Sequence, residues 1–278
     1  MNFSSVIRIV ITLTFLFTGL VAPGLHAEPK GKVTVQWLGH AAFKITSVTG
    51  KVILIDPFIT NNPKLPTQYK DITKLGKVDL ILVTHAHGDH VGDGPALARL
   101  HNAPLYAPAG LNDSLVALNI LPKELSPRFN KGGVITPIGN DIKITMTRAE
   151  HSSEFKWTNP ATKQMEIHVG GEPAGFIIEL ENGFKIYHMG DTGLFGDMKF
   201  IGEYYRPDLL LIPIGGHFVL SPTDAAYATR YFLKPKYAIP MHYGTNPRLT
   251  GTPEEYLRAV GESPTKILTM KIWETVTF

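Results

Sequence analysis

The 278-residue sequence predicts an α/β fold, and three observations support this. Short runs rich in Val, Ile and Leu recur along the chain, helix-type segments separate many of them, and no Pro/Gly-rich linker interrupts the chain after Lys32. The hydrophobic content of 44% is enough to build a large core. We therefore expect one α/β domain over residues 28–278.

Ten apolar runs of four to six residues predict the strands, and two capping patterns predict helix starts. Ser221 and Thr252 are each followed by proline and then by an acidic residue at the third helical position, an arrangement typical of N-caps. These helices should extend to about residues 232 and 260. The predicted strands are 33–38, 42–46, 52–55, 79–83, 142–147, 176–180, 184–188, 209–212, 237–240 and 266–271.

The first 27 residues resemble a secretory signal peptide. Residues 9–22 are almost wholly apolar, Arg8 precedes them, and Leu25 and Ala27 form an acceptable cleavage site before Glu28. The apolar run is short for a membrane span. We expect an exported protein, periplasmic or secreted, with no stable membrane partner once the signal is cleaved; an uncleaved anchor is the alternative.

Composition excludes several classes of function. The formal net charge of +3 offers no basic surface for nucleic acid, so we expect a small-molecule substrate as the partner. The chain has no cysteine, which excludes disulfides, thiolate metal ligands and a nucleophilic cysteine.

Residues 84–90 read Thr-His-Ala-His-Gly-Asp-His, directly after an apolar run. Histidines two positions apart cannot share one face of a helix, so the segment is expected to be a loop that leaves a strand. Three imidazoles and a carboxylate in six positions are typical of a metal site.

Three further residues of ligand type also follow predicted strands: His151, Asp191 and His242. Because the carboxyl ends of strands gather at one edge of a layered α/β fold, these side chains can meet the histidine-rich loop. A single histidine in such a place is usually structural, but three that agree with the loop favour a shared site.

Together these segments, with Gly190-Asp191-Thr192-Gly193 and Pro240-Met241-His242-Tyr243, resemble the metallo-β-lactamase superfamily. The resemblance covers nearly all of residues 28–278 and implies a four-layer αβ/βα sandwich. Residues 37–40, 54–58, 170–175 and 188–197 are similar to a family of predicted metal-dependent hydrolases close to bacterial sugar-lactone hydrolases. His217 departs from the pattern, since asparagine is expected there.

The resemblance implies two divalent metal ions, with Asp191 bridging both of them. Zinc suits the imidazole-rich set, and manganese or iron is the alternative. A hydroxide between the metals would be the nucleophile, and Asp89 would either orient it and carry a proton or act only as a ligand. The implied ligands are His85, His87 and His151 for one metal, and Asp89, His90 and His242 for the other.

We expect a hydrolase for small esters or lactones, with a phosphodiesterase as the next alternative. A non-catalytic, exported metal- or peptide-binding protein is the alternative from another class. β-Lactam hydrolysis is disfavoured because the bridging Asp191 belongs to the ester, thioester and phosphodiester side of the superfamily.

Four more residues are candidates for supporting roles. Asp56 ends an apolar strand and could orient a ligand histidine, with an Asp-Pro turn as the alternative. His188 could brace the turn before Asp191 or be an ordinary core residue. His40 could face the substrate or be an ordinary turn residue. His217 could contribute rim contacts. Substrate specificity is expected in the loops 57–69 and 152–172. Phe155 and Trp157 in the second loop could contact an apolar or ring-shaped substrate, and Trp157 could instead hold its own loop to the domain.

Overall fold

The computed structural model describes residues 31–278, so the predicted signal peptide lies outside the described residues. The helices are α1 (Gly88–Val91), α2 (Gly94–His101), α3 (Ala109–Ala117), α4 (Met198–Tyr205), α5 (Pro222–Tyr227), which a π-helical turn over Ala228–Leu233 extends, and α6 (Pro253–Val260). The strands are β1 (Thr34–Gly39), β2 (Ala42–Thr46), β3 (Val52–Ile55), β4 (Leu80–Leu82), β5 (Leu105–Tyr106), β6 (Val134–Ile135), β7 (Lys143–Arg148), β8 (Glu154–Thr158), β9 (Met165–Val169), β10 (Ala174–Glu179), β11 (Lys185–His188), β12 (Leu209–Pro213), β13 (Tyr237–Met241), β14 (Lys266–Ile267) and β15 (Thr275–Thr277).

Two mixed sheets form the centre of the molecule. The first has the strand order β15-β1-β2-β3-β4-β5, and the second has the order β14-β13-β12-β11-β10-β7-β6. Strands β3 to β5 run parallel in the first sheet, and β11 to β14 run parallel in the second. Strands β8 and β9 pair only with each other and form a separate hairpin.

Side chains that alternate along each strand divide the core into three apolar layers. Ile53 and Ile55 point between the sheets, whereas Leu54 packs under α2 and α3. In the second sheet Leu211 faces the first sheet, and Leu210 packs under α4, α5 and α6. The order helices, sheet, sheet, helices confirms the predicted four-layer αβ/βα sandwich.

The ten predicted strands are all present; 42–46 and 52–55 have the observed bounds, and the others have one or both ends shifted by one to four residues. The strand expected over 266–271 is reduced to Lys266–Ile267. Both capping predictions are confirmed: Ser221 Oγ accepts from the backbone N–H of Asp224, and Thr252 forms a complete capping box with Glu255. Within the described residues, no helix is long and apolar enough to cross a membrane.

Candidate metal centre

The seven residues predicted as metal ligands lie together at one edge of the two sheets. His85 follows β4, and His87 to His90 form the start of α1. His151, Asp191 and His242 follow β7, β11 and β13, as expected from the carboxyl ends of these strands.

Their ligand atoms form two clusters joined by one carboxylate. In the first, ligand atoms of His85, His87 and His151 lie within 4.8 Å of one another. In the second, Asp89 and three histidines meet the same limit: His40, His90 and His242.

Asp191 reaches both clusters. Its Oδ2 is 3.0 Å from His242 Nε2 and 3.6 Å from His151 Nε2, and its Oδ1 is 3.3 Å from His90 Nε2. This is the position that a bridging ligand requires. Gly190 lets the Asp191 turn approach β10 and the β4 loop, because a Cβ there would lie 2.6 Å from the carbonyl oxygen of Ala174.

Asp56 determines which ring nitrogen two of these histidines present to Asp191. Its fully buried carboxylate accepts hydrogen bonds from His90 Nδ1 at 2.8 Å, from Thr84 Oγ1 at 2.7 Å and from the Thr84 backbone N–H at 2.8 Å. Because Thr84 donates its hydroxyl proton to Asp56, its oxygen accepts from His85 Nδ1 at 3.1 Å. Both imidazoles therefore turn Nε2 toward Asp191, and Nε2 is the nitrogen that would bind a metal there.

The charges of the cluster also favour a cation. Burial would raise the pKa of Asp191, but His242 and His90 hold it well below its usual range. Burial opposes the charged form of His90 as well, yet Asp191 and Asp56 raise its pKa well above the ordinary value. Burial and the neighbouring His90 lower the pKa of His85. The site thus concentrates negative charge beside the neutral His85 and stabilises a proton on His90, which a bound cation would displace.

Several buried polar atoms support the same conclusion. His90 Nε2, Asp191 Oδ1 and both ring nitrogens of His242 have no hydrogen-bond partner among the residues that the structure describes. Buried polar atoms are rarely left without partners, and all three residues belong to the two clusters. A set of imidazole and carboxylate donors in this arrangement fits divalent metal ions.

His40 is buried beside the second cluster and contacts Asp89. Its Nε2 donates to Asp89 Oδ2 at 3.0 Å, and its Nδ1 faces Thr245 Oγ1 at 3.0 Å. Burial, followed by the charge of His242, lowers the pKa of His40 to about 4. Of the two roles considered for His40, contact with the substrate does not fit, because the residue is 97% buried and does not line the cleft.

His188 holds the turn that carries Asp191. Its Nε2 donates to the carbonyl of Ala41 at 2.9 Å, and its Nδ1 accepts the backbone N–H of Gly190 at 3.1 Å. The two roles considered for His188 are therefore combined: it is a hydrogen-bonded core histidine, and it braces the turn that carries Asp191.

The hairpin β8–β9 supplies a residue that the sequence did not indicate. Glu154 Oε2 accepts from His87 Nε2 at 3.3 Å and from Ser152 Oγ at 3.1 Å. With its Nε2 engaged in this way, His87 directs Nδ1 toward His85 Nε2, 2.9 Å away. The alternation Glu154-Phe155-Lys156-Trp157-Thr158 was the signal available for a strand here.

A cleft of about 430 Å³ opens above the clusters. Phe218, Asn246 and Leu249 line it from the loops after β12 and β13, and none of these was predicted; their only signal was a position after a strand. The remaining lining residues are His87, Gly88, Asp89, His151, Ser152, Glu154, Lys156, Asp191 and His242.

Three predictions about the rim are corrected. Loop 57–69 does not line the cleft. Phe155 is buried in the core under α2 and α3. Trp157 packs there too, edge-on to His168, because alternate residues of β8 point inward, so its alternative role of holding its own segment to the domain is the one that fits. His217 is exposed in a neighbouring depression, where a left-handed backbone turns it away from the metal clusters.

Comparisons with known proteins agree with this geometry. Residues 51–243 match the beta-lactamase superfamily domain. A "UPF0173 metal-dependent hydrolase" from Polaromonas sp. is 57% identical over 96% of this chain and 98% of its own length. A protein of the same description from Rubrobacter xylanophilus is 44% identical over 84% of this chain and 91% of its own length.

A solved structure extends the likeness to three dimensions. Igni18, described as a novel metallo hydrolase from the archaeon Ignicoccus hospitalis, is 35% identical and superimposes with a TM-score of 0.73, over 89% of this chain and 98% of its own. The chain is therefore a metal-dependent hydrolase that belongs to the metallo-β-lactamase superfamily, with the UPF0173 hydrolases as its homologues.

Proposed function

We propose that the two clusters hold two divalent cations, with Asp191 shared between them, and that the enzyme hydrolyses a small ester or lactone. The observation that carries this proposal is the position of the Asp191 carboxylate, whose oxygens lie 3.0 to 3.6 Å from imidazole nitrogens of both clusters. Zinc is the cation that the imidazole-rich donor set favours, with manganese or iron as alternatives. Two such cations would lower the pKa of a water between them and polarise the carbonyl oxygen under attack.

Asp89 is the residue we assign to proton transfer. It lines the cleft, and its side chain is 41% exposed, so solvent and substrate can reach it. Burial alone would raise its pKa, but the hydrogen bond from His40 and the nearby His90 lower it, so the carboxylate is ionised at neutral pH. Asp89 then accepts a proton from the attacking water. As the water oxygen bonds to the acyl carbon and the carbon–oxygen bond of the leaving group breaks, Asp89 delivers that proton to the departing oxygen.

The cleft favours an ester or lactone over a phosphodiester. Its volume of about 430 Å³ suits a small molecule. Phe218 and Leu249 provide apolar surface, and among the described lining residues only Lys156 is a lysine or arginine. A phosphodiester, which is charged at the bond that is cleaved, would be better served by several basic groups around that bond.

Metal analysis and a substrate panel test the proposal. The purified protein should contain two metals per chain and should hydrolyse chromogenic esters or lactones faster than bis(4-nitrophenyl) phosphate. His87→Ala and Asp191→Asn should each lower the metal content and abolish turnover, whereas His217→Ala, which removes an exposed histidine outside the cleft, should change neither. One metal per chain, or an active Asp191→Asn variant, would contradict the proposal.

We also propose export, which the N-terminal sequence alone supports. Expression of the full chain in a bacterium, followed by periplasmic extraction and N-terminal sequencing, should yield a protein that begins at Glu28. Recovery of only the uncleaved chain in the membrane fraction would favour the anchor.

A further inference from the structure

Lys156 stands out in the cleft as a cation without a partner. It lies on β8, its side chain lines the cleft, and no described carboxylate comes within 4.0 Å of its ammonium group. Most lysines that carry no ion pair point into open solvent, where the charge is fully hydrated. Lys156 is also exposed, but it is the one lysine or arginine among the described residues that lines the cleft, so it is placed to meet a substrate there.

The neighbouring acid does not neutralise it. Glu154 is two residues away on the same face of β8, but its carboxylate accepts hydrogen bonds from His87 Nε2 and Ser152 Oγ. The Glu154 charge is thus directed toward the metal clusters, and the Lys156 charge remains available. On this side of the cleft Glu154 orients His87, and Lys156 is available to bind an anion.

The spacing of residues along β8 separates Lys156 from the part of the cleft beside the clusters. Two residues of a β-strand span roughly 7 Å, so Lys156 is placed about that distance along β8 from the residue that contacts His87. A group paired with Lys156 therefore lies several bonds away from the bond that is cleaved. One ammonium balances one negative charge, which fits a carboxylate.

We propose that Lys156 binds a carboxylate carried by the substrate, so that the preferred substrate is an ester or lactone with an anionic group remote from the scissile bond and an apolar part against Phe218 and Leu249. This inference rests on the proposed hydrolysis and adds the charge of the substrate to it. The apolar contacts come from the wall formed by the loops after β12 and β13.

Matched substrates test the proposal. We expect the metal-loaded enzyme to hydrolyse the 4-nitrophenyl monoester of glutaric acid with a kcat/KM about fivefold higher than that of 4-nitrophenyl valerate, which lacks the charge. Lys156→Met, which keeps the aliphatic stem, should abolish this preference, and Lys156→Arg should retain it. Lys163→Met is the control, because Lys163 is an exposed lysine at the tip of the same hairpin and outside the cleft.

A binding measurement separates this inference from the proposed hydrolysis. Glutaric acid monoanilide and valeranilide are amide analogues that differ in the same charge, and calorimetry with the metal-loaded protein should show tighter binding of the acid, lost in Lys156→Met. If neither ester is hydrolysed but the acid binds through Lys156, the proposed reaction fails and the anion site stands. Equal kcat/KM values and equal binding of charged and neutral ligands would overturn the anion site, whether or not the esters are hydrolysed.

Discussion

Replacement of Asp56 by asparagine tests whether its hydrogen bonds orient His90 directly and His85 through Thr84, an arrangement called the relay below. The carboxylate accepts three hydrogen bonds of 2.7 to 2.8 Å from Thr84 and His90, and it is fully buried. Asparagine keeps one acceptor for the Thr84 backbone N–H but presents an NH₂ group to His90 Nδ1 and Thr84 Oγ1. Thr84 would then donate its hydroxyl proton to His85, and both histidines would carry their proton on Nε2.

The expected magnitude follows from this change of tautomer. Ligand histidines that lose their orienting carboxylate typically bind metal 10- to 100-fold more weakly, which corresponds to about 1.4 to 2.7 kcal/mol. Asp56→Ala goes further, because it leaves the His90 and Thr84 donors buried without an acceptor; we expect a loss of about 3 to 5 kcal/mol in the free energy of unfolding. The two variants thus separate an effect on metal affinity from an effect on stability.

The assay is competition for zinc against a chromogenic chelator, combined with urea unfolding of the metal-free protein. Asp79→Asn is the control: Asp79 also accepts a backbone hydrogen bond, from Val52 at 2.9 Å, but it lies at the start of β4, away from the clusters. Asp79→Asn should bind zinc normally. A folded Asp56→Asn variant with unchanged zinc affinity would refute the proposed relay.

Two further predictions concern the turn that carries Asp191 and a contact between the sheets. Gly190→Ala should lower metal content and should destabilise the protein by about 1 to 3 kcal/mol more than the control Gly50→Ala. Both glycines have positive φ, but only at Gly190 would a Cβ meet neighbouring atoms. Equal losses in the free energy of unfolding, measured with urea, would contradict this prediction. Burial alone would raise the pKa of Glu181, but hydrogen bonds from Thr49 and Ser47 lower it overall. The ionised Glu181 carboxylate therefore stabilises the protein above its ordinary pKa of about 4.5, and this stabilisation is lost as the pH falls below that value. The free energies of unfolding of the wild type and of Glu181→Gln should therefore differ at pH 7 and converge toward pH 3. A difference that stays constant with pH would contradict stabilisation by the ionised carboxylate.

Four of the residues predicted as metal ligands, His85, His151, Asp191 and His242, could be brought together from the sequence because each follows a strand signal; their assignment as ligands came from the family resemblance. Residues 80–82 and 238–241 are buried on both faces, so they appear as unbroken apolar runs, and the ends of such strands share one edge. That geometric rule places His85, Asp191 and His242 together without any knowledge of the loops between them.

The hairpin β8–β9 was not predicted, because its strands are partly exposed and give no unbroken apolar run. Its outer face exposes Met165, Ile167 and Val169 by 63 to 69%, while Glu166 and His168 on the other face are partly covered. In β9 this pattern reverses the usual correspondence between apolar character and burial, whereas in β8 the apolar Phe155 and Trp157 do point inward, so the two strands give conflicting signals for which face packs on the domain. The cleft residues Glu154 and Lys156 were missed with it, and the two-residue strands β5 and β6 are too short to leave any periodic signal.

Backbone conformation at the site could not be anticipated either, and it has an energetic meaning. His40, Asp56 and His242 have φ values of +54°, +45° and +56°, a region that costs a residue other than glycine about 1 to 3 kcal/mol. Each reverses the chain just after a strand and thereby turns its side chain toward the clusters. Glycine would relax the backbone but remove the imidazole or carboxylate. The contacts at the site, including the bond from the His242 N–H to the His40 carbonyl at 3.1 Å, offset this strain. The same three residues therefore adopt an unfavourable backbone conformation, and the side chains that they hold at the site make the contacts that offset it.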